Sequence, residues 1–564
     1  MNLGNRIQPI HYLLFFLILL TIIFISILAA VPPVDRDALT HHLIIPKLYL
    51  EHGFHEIPHI IFSYYPMNLN LLYMIPMYFG NDILPKYIHF LFAILTAVLI
   101  YKYLSQRTNK SYGLLGALFF LSTPVVIRLS STVYVDLGLV FFFFASILAI
   151  FRWIETGFKT RYLIISGIFC GLALGTKYNA LVGFFLLTLF IPFIYVRYNQ
   201  RSRNYHVKSI AAGTLFVFVA LAVFSPWMVR NVVWTGNPIY PLYNSIFISK
   251  PEPEKSEIKK NTPAQKKPLK ITHIDVRHHL YEESWLEIAL IPVRVFFQGE
   301  DDNPKYFDGR LNPFIFLLSL FAFMGISAAG RQKNTEKWIL LSFSVLFLLY
   351  ACAKASIRIR YFIPILPPMI VLSMYGLYNI ENRFLNRQHP YAGCLRKTVM
   401  LTIAFAMLGM NVLYMKERFE KDRPLPYITG KISRDDYIQQ YRPEYAALQY
   451  ANANLGEGHR ILGLYLGNRH YYSDIPIEFS THIFRSHAKN ADSGTDLAIK
   501  LHEKGLSHIL VRLSMLNDFF DEYNEQEQKI LKAFFEKNAV MEFHKDGNGL
   551  LRILIPAKDD DPQI

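Results

Sequence analysis

Two aspartates, Asp35 and Asp37, follow directly after the first apolar segment that is long enough to cross a membrane. Carboxylates at the edge of a bilayer are costly, so a protein that keeps two of them there is expected to use them. Asp37 lies four residues before His41, which places both on one face of a helix, whereas Asp35 points elsewhere. A carboxylate can take a proton from a hydroxyl group. The position of the pair predicts an acid–base centre, and the spacing indicates that only one of the two aspartates reaches a given substrate.

A structural interpretation of the same residues stays open. Asp35 could cap a short helix while Asp37 is merely solvated. On either interpretation, the apolar positions Leu39, Leu43 and Leu48 of the short helix are expected to lie on the bilayer surface. The loop also contains histidines at 41, 42, 52, 55 and 59, but their spacing matches no metal-ligand signature. Asp35 and Asp37 could hold a hard cation only with added water ligands, so we expect no cofactor, with a divalent metal as the alternative.

Further charged residues lie at the ends of apolar segments on the same predicted side of the membrane. Asp136, in "STVYVDLGLVFFFF", must face a cavity or a partner rather than lipid, and we expect it to have a functional role. The cations of this group are Lys177, Arg230, Arg358 and Arg360. Snorkelling would explain any one of them. Together they suit a phosphate at the membrane surface, although Trp227 beside Arg230 suggests an interfacial anchor instead.

The elements that must position these residues are membrane-spanning helices. The 564 residues are 52% hydrophobic, and the apolar residues occur in blocks rather than at amphipathic spacing. This composition predicts an α-helical polytopic membrane protein. About eleven spans are expected, at 11–31, 83–101, 112–127, 133–151, 162–176, 179–196, 209–229, 311–330, 338–353, 361–379 and 398–415.

The short loops indicate the orientation. The predicted inner loops contain 17 Lys and Arg residues and the short outer loops contain 5. Because these residues resist translocation, the N-terminus is expected in the cytoplasm. The first outer loop (32–82), the long outer loop (235–310) and the C-terminal tail then face outward. The small residues of 26–30 could mark a secretory signal, but the length of the apolar stretch and the spans that follow favour an uncleaved anchor.

The composition changes after the last span. Residues 1–415 form the predicted transmembrane module, and 416–564 form a small extracytoplasmic α/β domain. Helices are expected at 443–454, 495–504 and 517–536, and strands at 460–466, 507–512, 539–543 and 549–555. The net charge of +15 does not indicate nucleic-acid binding, because topology explains the Lys and Arg of the inner loops. The Lys- and Pro-rich run at 251–270 reads as a solvated insert, or as a patch for anionic lipid or glycan.

Several motifs, in this order, resemble the GT-C superfamily of membrane glycosyltransferases, in the bacterial branch similar to protein O-mannosyltransferases and aminoarabinose (lipid A) transferases. The similarity covers about residues 10–420. The motifs are "DRDALTHHLIIPKLYLEHG", "YYPMNLNLLY", "VYVDLGLVFF", "GLALGTKYN", "WMVRNVVWTGNPIYP", "YFDGRLNPFIF" and "RIRYFIPILPP". The acidic pair of the family is usually Asp-Glu followed by an aromatic residue. Here Ala38 follows Asp37 and His41 stands where an aromatic is expected, so the choice of base between Asp37 and Asp35 stays open.

The resemblance implies an inverting glycosyltransferase of the bacterial inner membrane. Its donor would be a polyprenyl-phosphate sugar, and its acceptor a lipid, glycan or protein on the outer face. Asp37, Asp35 and Asp136 would be the catalytic acids. The substrate-binding residues would be His41, His42, Lys177, Tyr178, Arg230, Arg358, Arg360 and Tyr361. Two other classes remain as alternatives: a flippase or transporter for lipid-linked glycans, and a non-catalytic envelope assembly protein.

Overall fold

A computed structural model describes residues 8–247, 273–324, 330–354, 357–384, 392–520 and 523–555. The chain divides into two compact units. The first comprises Met1–Ala30, Tyr64–Ile75 and Leu84–Pro424, and the second comprises Val31–Ser63, Pro76–Ile83 and Leu425–Ile564. The Lys- and Pro-rich run at 251–270 lies outside the described residues. The first outer loop therefore belongs mainly with the C-terminal residues, while the helix that ends at Asp422 belongs to the first unit.

The first unit is built from apolar α-helices. Its main helices are Pro9–Ala29, Asn68–Tyr78, Leu84–Arg107, Lys110–Ser122, Pro124–Ser130, Asp136–Glu155, Thr160–Leu174, Ala180–Asn199, Tyr205–Thr235, Phe314–Ser319, Arg331–Lys354, Leu366–Asn379 and Ala392–Asp422. The last three residues of the helix Asn68–Tyr78 belong to the second unit. Short helices at Asn244–Phe247, His273–Asp275, Val276–Leu280, Trp285–Ala289 and Ile291–Arg294 lie in the long predicted outer loop. The chain is a multi-pass membrane protein.

All eleven predicted spans coincide with apolar helices. Within the described residues, eight helices are long and apolar enough to cross a membrane, or nine if the bent pair Lys110–Ser122 and Pro124–Ser130 is one span. Thr160–Leu174 and Phe314–Phe323 are apolar but shorter. The helical membrane fold is confirmed, and the count of eleven crossings stays a prediction.

Local sequence signals explain where several helices begin and end. Pro9 is the first residue of its helix, where its missing N–H costs nothing. Asn109 caps the helix that follows it by accepting a hydrogen bond from the Tyr112 amide. The helix Tyr205–Thr235 ends at Gly236 in the left-handed region, with a φ of 74° that glycine adopts without strain. These signals fix the lengths of the apolar segments.

Small and polar residues hold the helices of the first unit together. Ser319 Oγ and Ser373 Oγ lie 3.1 Å apart, and both hydroxyls donate to buried backbone carbonyls. Asn312 donates to Asn411 Oδ1 over 2.7 Å. Away from these contacts, Glu336 is fully buried and accepts hydrogen bonds from Arg107 and Tyr103. Such bonds join helices in an environment where burying apolar surface gives little driving force.

The second unit contains a mixed five-stranded sheet. Its strands are β1 (Ile461–Leu464), β2 (Ile477–Phe479), β3 (His508–Arg512), β4 (Ala539–Lys545) and β5 (Asn548–Ile553). Their order is β2-β1-β3-β5-β4; β1 pairs in parallel with β2 and β3, and β5 pairs antiparallel with β3 and β4. The C-terminal α/β fold is confirmed. The strand β2 was not predicted, because three residues are too few to produce a period-two pattern.

The helices of the second unit include Ile44–His52, Arg434–Tyr441, Tyr445–Asn454, Thr481–Lys489, Gly494–Glu503, Ser514–Phe520 and Glu525–Ala533. Many have side-chain caps: Ser493 accepts from the Asp496 amide, and Asn524 forms a capping box with Glu527. The single helix expected at 517–536 is instead two helices, and the second begins at this capping box. Apolar residues of the helices cover the sheet, with Phe484, Leu497 and Phe534 fully buried.

Candidate active site

A buried ion pair lies at the N-terminus of a membrane-length helix of the first unit. Asp136 is the first residue of the helix Asp136–Glu155 and is completely buried. Lys177 Nζ lies 2.7 Å from Asp136 Oδ1. The helix N-terminus also favours a carboxylate at this position. Asp136 Oδ2 has no hydrogen-bond partner among the described residues. The structure thus joins two predicted site residues that are 41 positions apart in the chain.

His89 fixes the start of the same helix. Its Nδ1 lies 2.9 Å from the Leu129 carbonyl and 3.1 Å from the Thr132 carbonyl, so this nitrogen carries the proton. The other nitrogen, Nε2, accepts from the Leu137 amide over 2.9 Å. The neutral ring therefore satisfies a helix-terminal N–H and holds Asp136 in place from the next residue. Sequence reasoning missed His89, since a single histidine in an apolar helix gives no signal of its own.

Three cations surround one tyrosine ring. Lys177 Nζ lies 5.6 Å from the centre of the Tyr361 ring, and the guanidinium carbons of Arg358 and Arg360 lie 6.0 and 5.4 Å from it. Arg360 also lies 5.0 Å from the centre of the Tyr134 ring. The ring faces partly offset the repulsion between the like charges. The "Tyr361 cation cluster" of Lys177, Arg358 and Arg360 is a concentration of positive charge of the kind that binds phosphate.

Acidic residues of the long loop hold part of this cluster. Asp308 Oδ2 lies 3.5 Å from Arg358 Nη1, and Asp308 Oδ1 lies 3.0 Å from Arg128 Nη1. Arg128 pairs with three aspartates, Asp301, Asp302 and Asp308. Burial alone would raise the pKa of Asp302, but Arg128 and Lys421 lower it below its usual value. Sequence reasoning missed these aspartates, because they lie more than 170 residues from Arg128.

Arg230 and Tyr178 belong to a separate hydrogen-bond network. Arg230 Nη2 donates to Asn231 Oδ1 over 2.9 Å and to the Tyr65 carbonyl over 3.1 Å. Asn231 in turn donates to the Tyr178 hydroxyl over 3.0 Å. The Arg230 guanidinium lies between two indole rings, those of Trp227 and Trp234, at 4.6 and 4.9 Å. These contacts orient the chain around the end of the helix Tyr205–Thr235.

The loop with the paired aspartates belongs to the second unit. Asp35 and Asp37 are half-exposed and precede a π-helical turn, Ala38–His42. The His41 ring stacks on Phe62, with ring centres 4.3 Å apart, and His42 is buried. In the family, an aromatic residue is expected at the position of His41. Here the His41 ring itself packs against an aromatic ring, that of Phe62.

The proposal that the apolar residues of this turn lie on the bilayer surface is wrong for two of them. Leu39 and Leu43 are buried, with 1% and 0% of their surface exposed. Leu39 also contributes its carbonyl to a hydrogen bond from the Tyr471 amide of the same unit. The turn is therefore fixed by packing within a folded unit rather than by contact with lipid.

The remaining histidines of the loop line a groove of about 740 Å³ in the second unit. The groove contains His52, His55, His59 and His470. Burial lowers the pKa of His470 to about 4, and the nearby His59 contributes to the shift. Across the described ranges, no group of three or more His, Cys, Asp or Glu side chains could hold a metal ion. The expectation of no cofactor stays a prediction.

The structure therefore brings the predicted residues together in three groups. Asp136 and Lys177 form a pair that joins Arg358, Arg360 and Tyr361. Tyr178 and Arg230 share a second network. Asp35, Asp37, His41 and His42 lie together in the second unit.

The chain is similar to known proteins in sequence over part of its length. A family model described as dolichyl-phosphate-mannose-protein mannosyltransferase matches residues 69–229. The matched segment includes Asp136, Lys177 and Tyr178. No curated protein sequence gives a significant match.

Solved structures match nearly the whole chain. ArnT from Cupriavidus metallidurans in the apo state is 11% identical, with a TM-score of 0.55 over 96% of this chain and 97% of that one. ArnT bound to undecaprenyl phosphate is 10% identical, with the same TM-score and coverage. The chain has the fold of the GT-C superfamily of membrane glycosyltransferases. The GT-C fold confirms the resemblance drawn from the motifs.

An archaeal protein is also similar to this chain in structure. Archaeal oligosaccharyltransferase AglB from Archaeoglobus fulgidus, in complex with an inhibitory peptide and a dolichol-phosphate, is 13% identical. Its TM-score is 0.52, and the match covers 96% of this chain and 74% of that one. At such low sequence identity, the similarity establishes the fold alone. The chemistry of the site depends on the residues of this chain.

Proposed function

We propose that this protein transfers a sugar from a polyprenyl-phosphate donor to an acceptor at the outer face of a bacterial inner membrane. The observation that supports it most is the Tyr361 cation cluster, in which Lys177, Arg358 and Arg360 surround one ring in a protein with the GT-C fold. ArnT has been solved with undecaprenyl phosphate and AglB with a dolichol-phosphate, which supports a lipid phosphate as donor. The acceptor would be a lipid, glycan or protein.

The proposed reaction is a single displacement. An aspartate takes the proton from an acceptor hydroxyl, and the hydroxyl oxygen attacks the anomeric carbon of the sugar. The bond between that carbon and the phosphate oxygen breaks, and the polyprenyl phosphate leaves with the electron pair. The Tyr361 cation cluster stabilises the negative charge that grows on the phosphate. A single displacement inverts the anomeric centre.

The carboxylates have different roles in this proposal. Asp136 is buried and paired with Lys177, so it acts as a positioning residue that orients the ammonium group toward the donor phosphate. Asp37 is the general base and Asp35 is the alternate, because both are half-exposed on a turn that is held by packing. His41, His42, Tyr178 and Arg230 complete the proposed substrate contacts. The reaction needs no metal ion in this scheme.

The orientation is part of the proposal. The bias of Lys and Arg toward the predicted inner loops places the N-terminus in the cytoplasm. Residues 416–564 and the loop with Asp37 then lie outside, where lipid-linked donors and envelope acceptors meet.

The test uses the full-length protein in lipid vesicles with undecaprenyl-phosphate-linked sugars and cell-envelope lipids. Release of undecaprenyl phosphate should depend on the protein. Lys177→Ala and Arg360→Ala should each lower the rate about 100-fold, the loss typical of one group that stabilises a developing oxyanion. Lys159→Ala and Arg161→Ala serve as matched controls, because these cations lie in a predicted inner loop, and they should retain the wild-type rate.

The base is tested in the same assay. Asp37→Asn should abolish release while the protein remains folded, and Asp35→Asn should lower it less. A wild-type rate for Asp37→Asn would reject its role, and loss of release in Asp35→Asn alone would transfer the role to Asp35. Movement of the lipid-linked sugar across the vesicle without cleavage would instead favour the flippase, and absence of both activities would favour an assembly protein.

A further inference from the structure

A second groove of the second unit has the chemistry of a sugar-binding site. It encloses about 610 Å³, within the range usual for ligand sites. We call it the tyrosine groove, because Tyr78, Tyr445, Tyr471 and Tyr472 all line it. Tyr78 is 74% exposed, so its ring is available to a ligand. Flat aromatic faces combined with hydroxyl groups suit a ligand that has both apolar ring faces and polar edges.

A buried carboxylate opens onto this groove. Only 7% of the Asp82 surface is exposed. Its Oδ2 accepts a hydrogen bond from Arg434 over 2.5 Å and another from the Tyr471 hydroxyl over 3.2 Å. Its Oδ1 accepts no hydrogen bond within the part of the chain that the structure describes. This oxygen is therefore open to a hydrogen bond from a water or from a ligand hydroxyl in the groove.

The charged residues of the groove are paired with one another, and the carboxylates outnumber the cations by three to two. Its cations are Lys47 and Arg434 and its carboxylates are Glu51, Asp82 and Asp474. Lys47 lies 2.7 Å from Asp474 and 3.9 Å from Glu51, while Arg434 pairs with Asp82. Because the groove has more carboxylates than cations, it gives no strong attraction for a phosphate or other anion. A hydroxyl both donates and accepts, so it can bridge such a pair without disturbing its charge.

We infer that the tyrosine groove binds a neutral oligosaccharide. That this ligand is the acceptor glycan rests on the proposed function. The binding site itself depends only on the residues of the groove. Tyr78 would cover a sugar ring, Asp82 Oδ1 would accept from a sugar hydroxyl, and the exposed Gln449 amide would contact the ligand from the helix Tyr445–Asn454. Lys47, Glu51 and Asp474 also line the groove of about 740 Å³ that contains His52, His55, His59 and His470, so an extended glycan can continue from one groove into the other.

The test measures direct binding to the full-length protein in detergent, without donor. The probes are maltotriose, cellotriose, mannotriose and chitotriose. Saturation-transfer NMR detects their binding. At least one should bind, and Tyr78→Ala and Gln449→Ala should each weaken its affinity about five- to tenfold, as for loss of one ring contact or hydrogen bond. Phe54→Ala and Gln526→Ala are matched controls that remove an exposed ring and an exposed glutamine of the second unit outside the groove, and both should bind normally.

The outcomes separate this inference from the proposed function. Lys177→Ala should bind the saccharide normally even where donor cleavage is lost. Absence of binding by all four probes would overturn the inference, as would equal affinities for the groove variants and the wild type. Binding that is lost in Tyr78→Ala while no undecaprenyl phosphate is ever released would support the groove and reject the transferase.

Discussion

The ion pair between Asp136 and Lys177 determines what each residue can do. A carboxylate that is fully buried and bonded to an ammonium group is poorly suited to take a proton from a substrate. It is well suited to hold the ammonium group in one position beside Tyr361. The proposed roles of the three aspartates therefore differ: Asp136 positions a cation, and the base is assigned to Asp37 or Asp35.

The positioning role of Asp136 predicts a specific pattern of coupling. Lys177→Met leaves a buried carboxylate without its cation, so the free energy of unfolding should fall by about 3–5 kcal/mol. Asp136→Asn added to Lys177→Met should restore most of this stability, because no buried charge remains. Thermal unfolding of the single and double variants checks the stability, and donor turnover gives a double-mutant cycle.

The kinetic half of this cycle distinguishes positioning from a purely structural role. If Asp136 acts through Lys177, then Asp136→Asn should impair turnover of the donor in wild-type protein but add little to Lys177→Met. Independent, additive losses in turnover would mean that Asp136 contacts the substrate itself.

Helix contacts in the first unit depend on a few small residues. A Cβ atom added at Gly376 would lie 1.8 Å from the Leu318 carbonyl oxygen, which is backbone and cannot rotate away. The helices Phe314–Ser319 and Leu366–Asn379 approach closely because position 376 has no side chain. The second of these helices follows directly after Tyr361 and its neighbouring arginines. The contact therefore anchors the segment that contributes Arg358 and Arg360 to the Tyr361 cation cluster.

Gly376→Ala should therefore separate these helices. We expect the free energy of unfolding to fall by about 3 kcal/mol, at the upper end of the cost of overpacking. Gly409→Ala is the matched control, because a Cβ there meets no atom within 4 Å. The control should change stability by less than about 1 kcal/mol. Thermal unfolding in detergent measures both, and similar losses in the two variants would argue against the close contact.

The second unit has a built-in dependence on pH. Burial lowers the pKa of His470 to about 4, from 6.5 in the unfolded chain. Between these values the unfolded chain binds a proton that the folded unit does not, so stability falls as pH falls from 6.5 toward 4. Above pH 6.5 the contribution is fully present. Since His470 is only partly buried by area, we expect about 1–2 kcal/mol.

Substitution of this histidine isolates the effect. His470→Gln should reduce the loss of stability between pH 6.5 and 4, measured by hydrogen exchange in the strands of the second unit. The exposed His482→Gln should keep the wild-type slope. An unchanged slope in His470→Gln would assign the pH dependence to other groups.

The sequence by itself determined the class of the molecule. Apolar blocks of membrane length identified all eleven helical segments, because the cost of exposing polar backbone to lipid leaves a strong signal in composition. The period-two and helical patterns of the tail identified four strands of its sheet. Residue type and position at span ends were also sufficient to select Asp136, Lys177, Arg358 and Arg360, since charges are rare at such depths.

Only the tertiary structure decided how these residues are partnered. Contacts between distant segments form the site. They are the ion pair of Asp136 with Lys177, the three cations around Tyr361 and the ion pair of Asp308 with Arg358. Nor does any local pattern reveal that Leu39 is buried or that Asp82 faces a groove. Periodicity and hydropathy report the environment of one segment at a time. The chemistry of a site depends instead on distances between side chains, which exist only after the segments have packed.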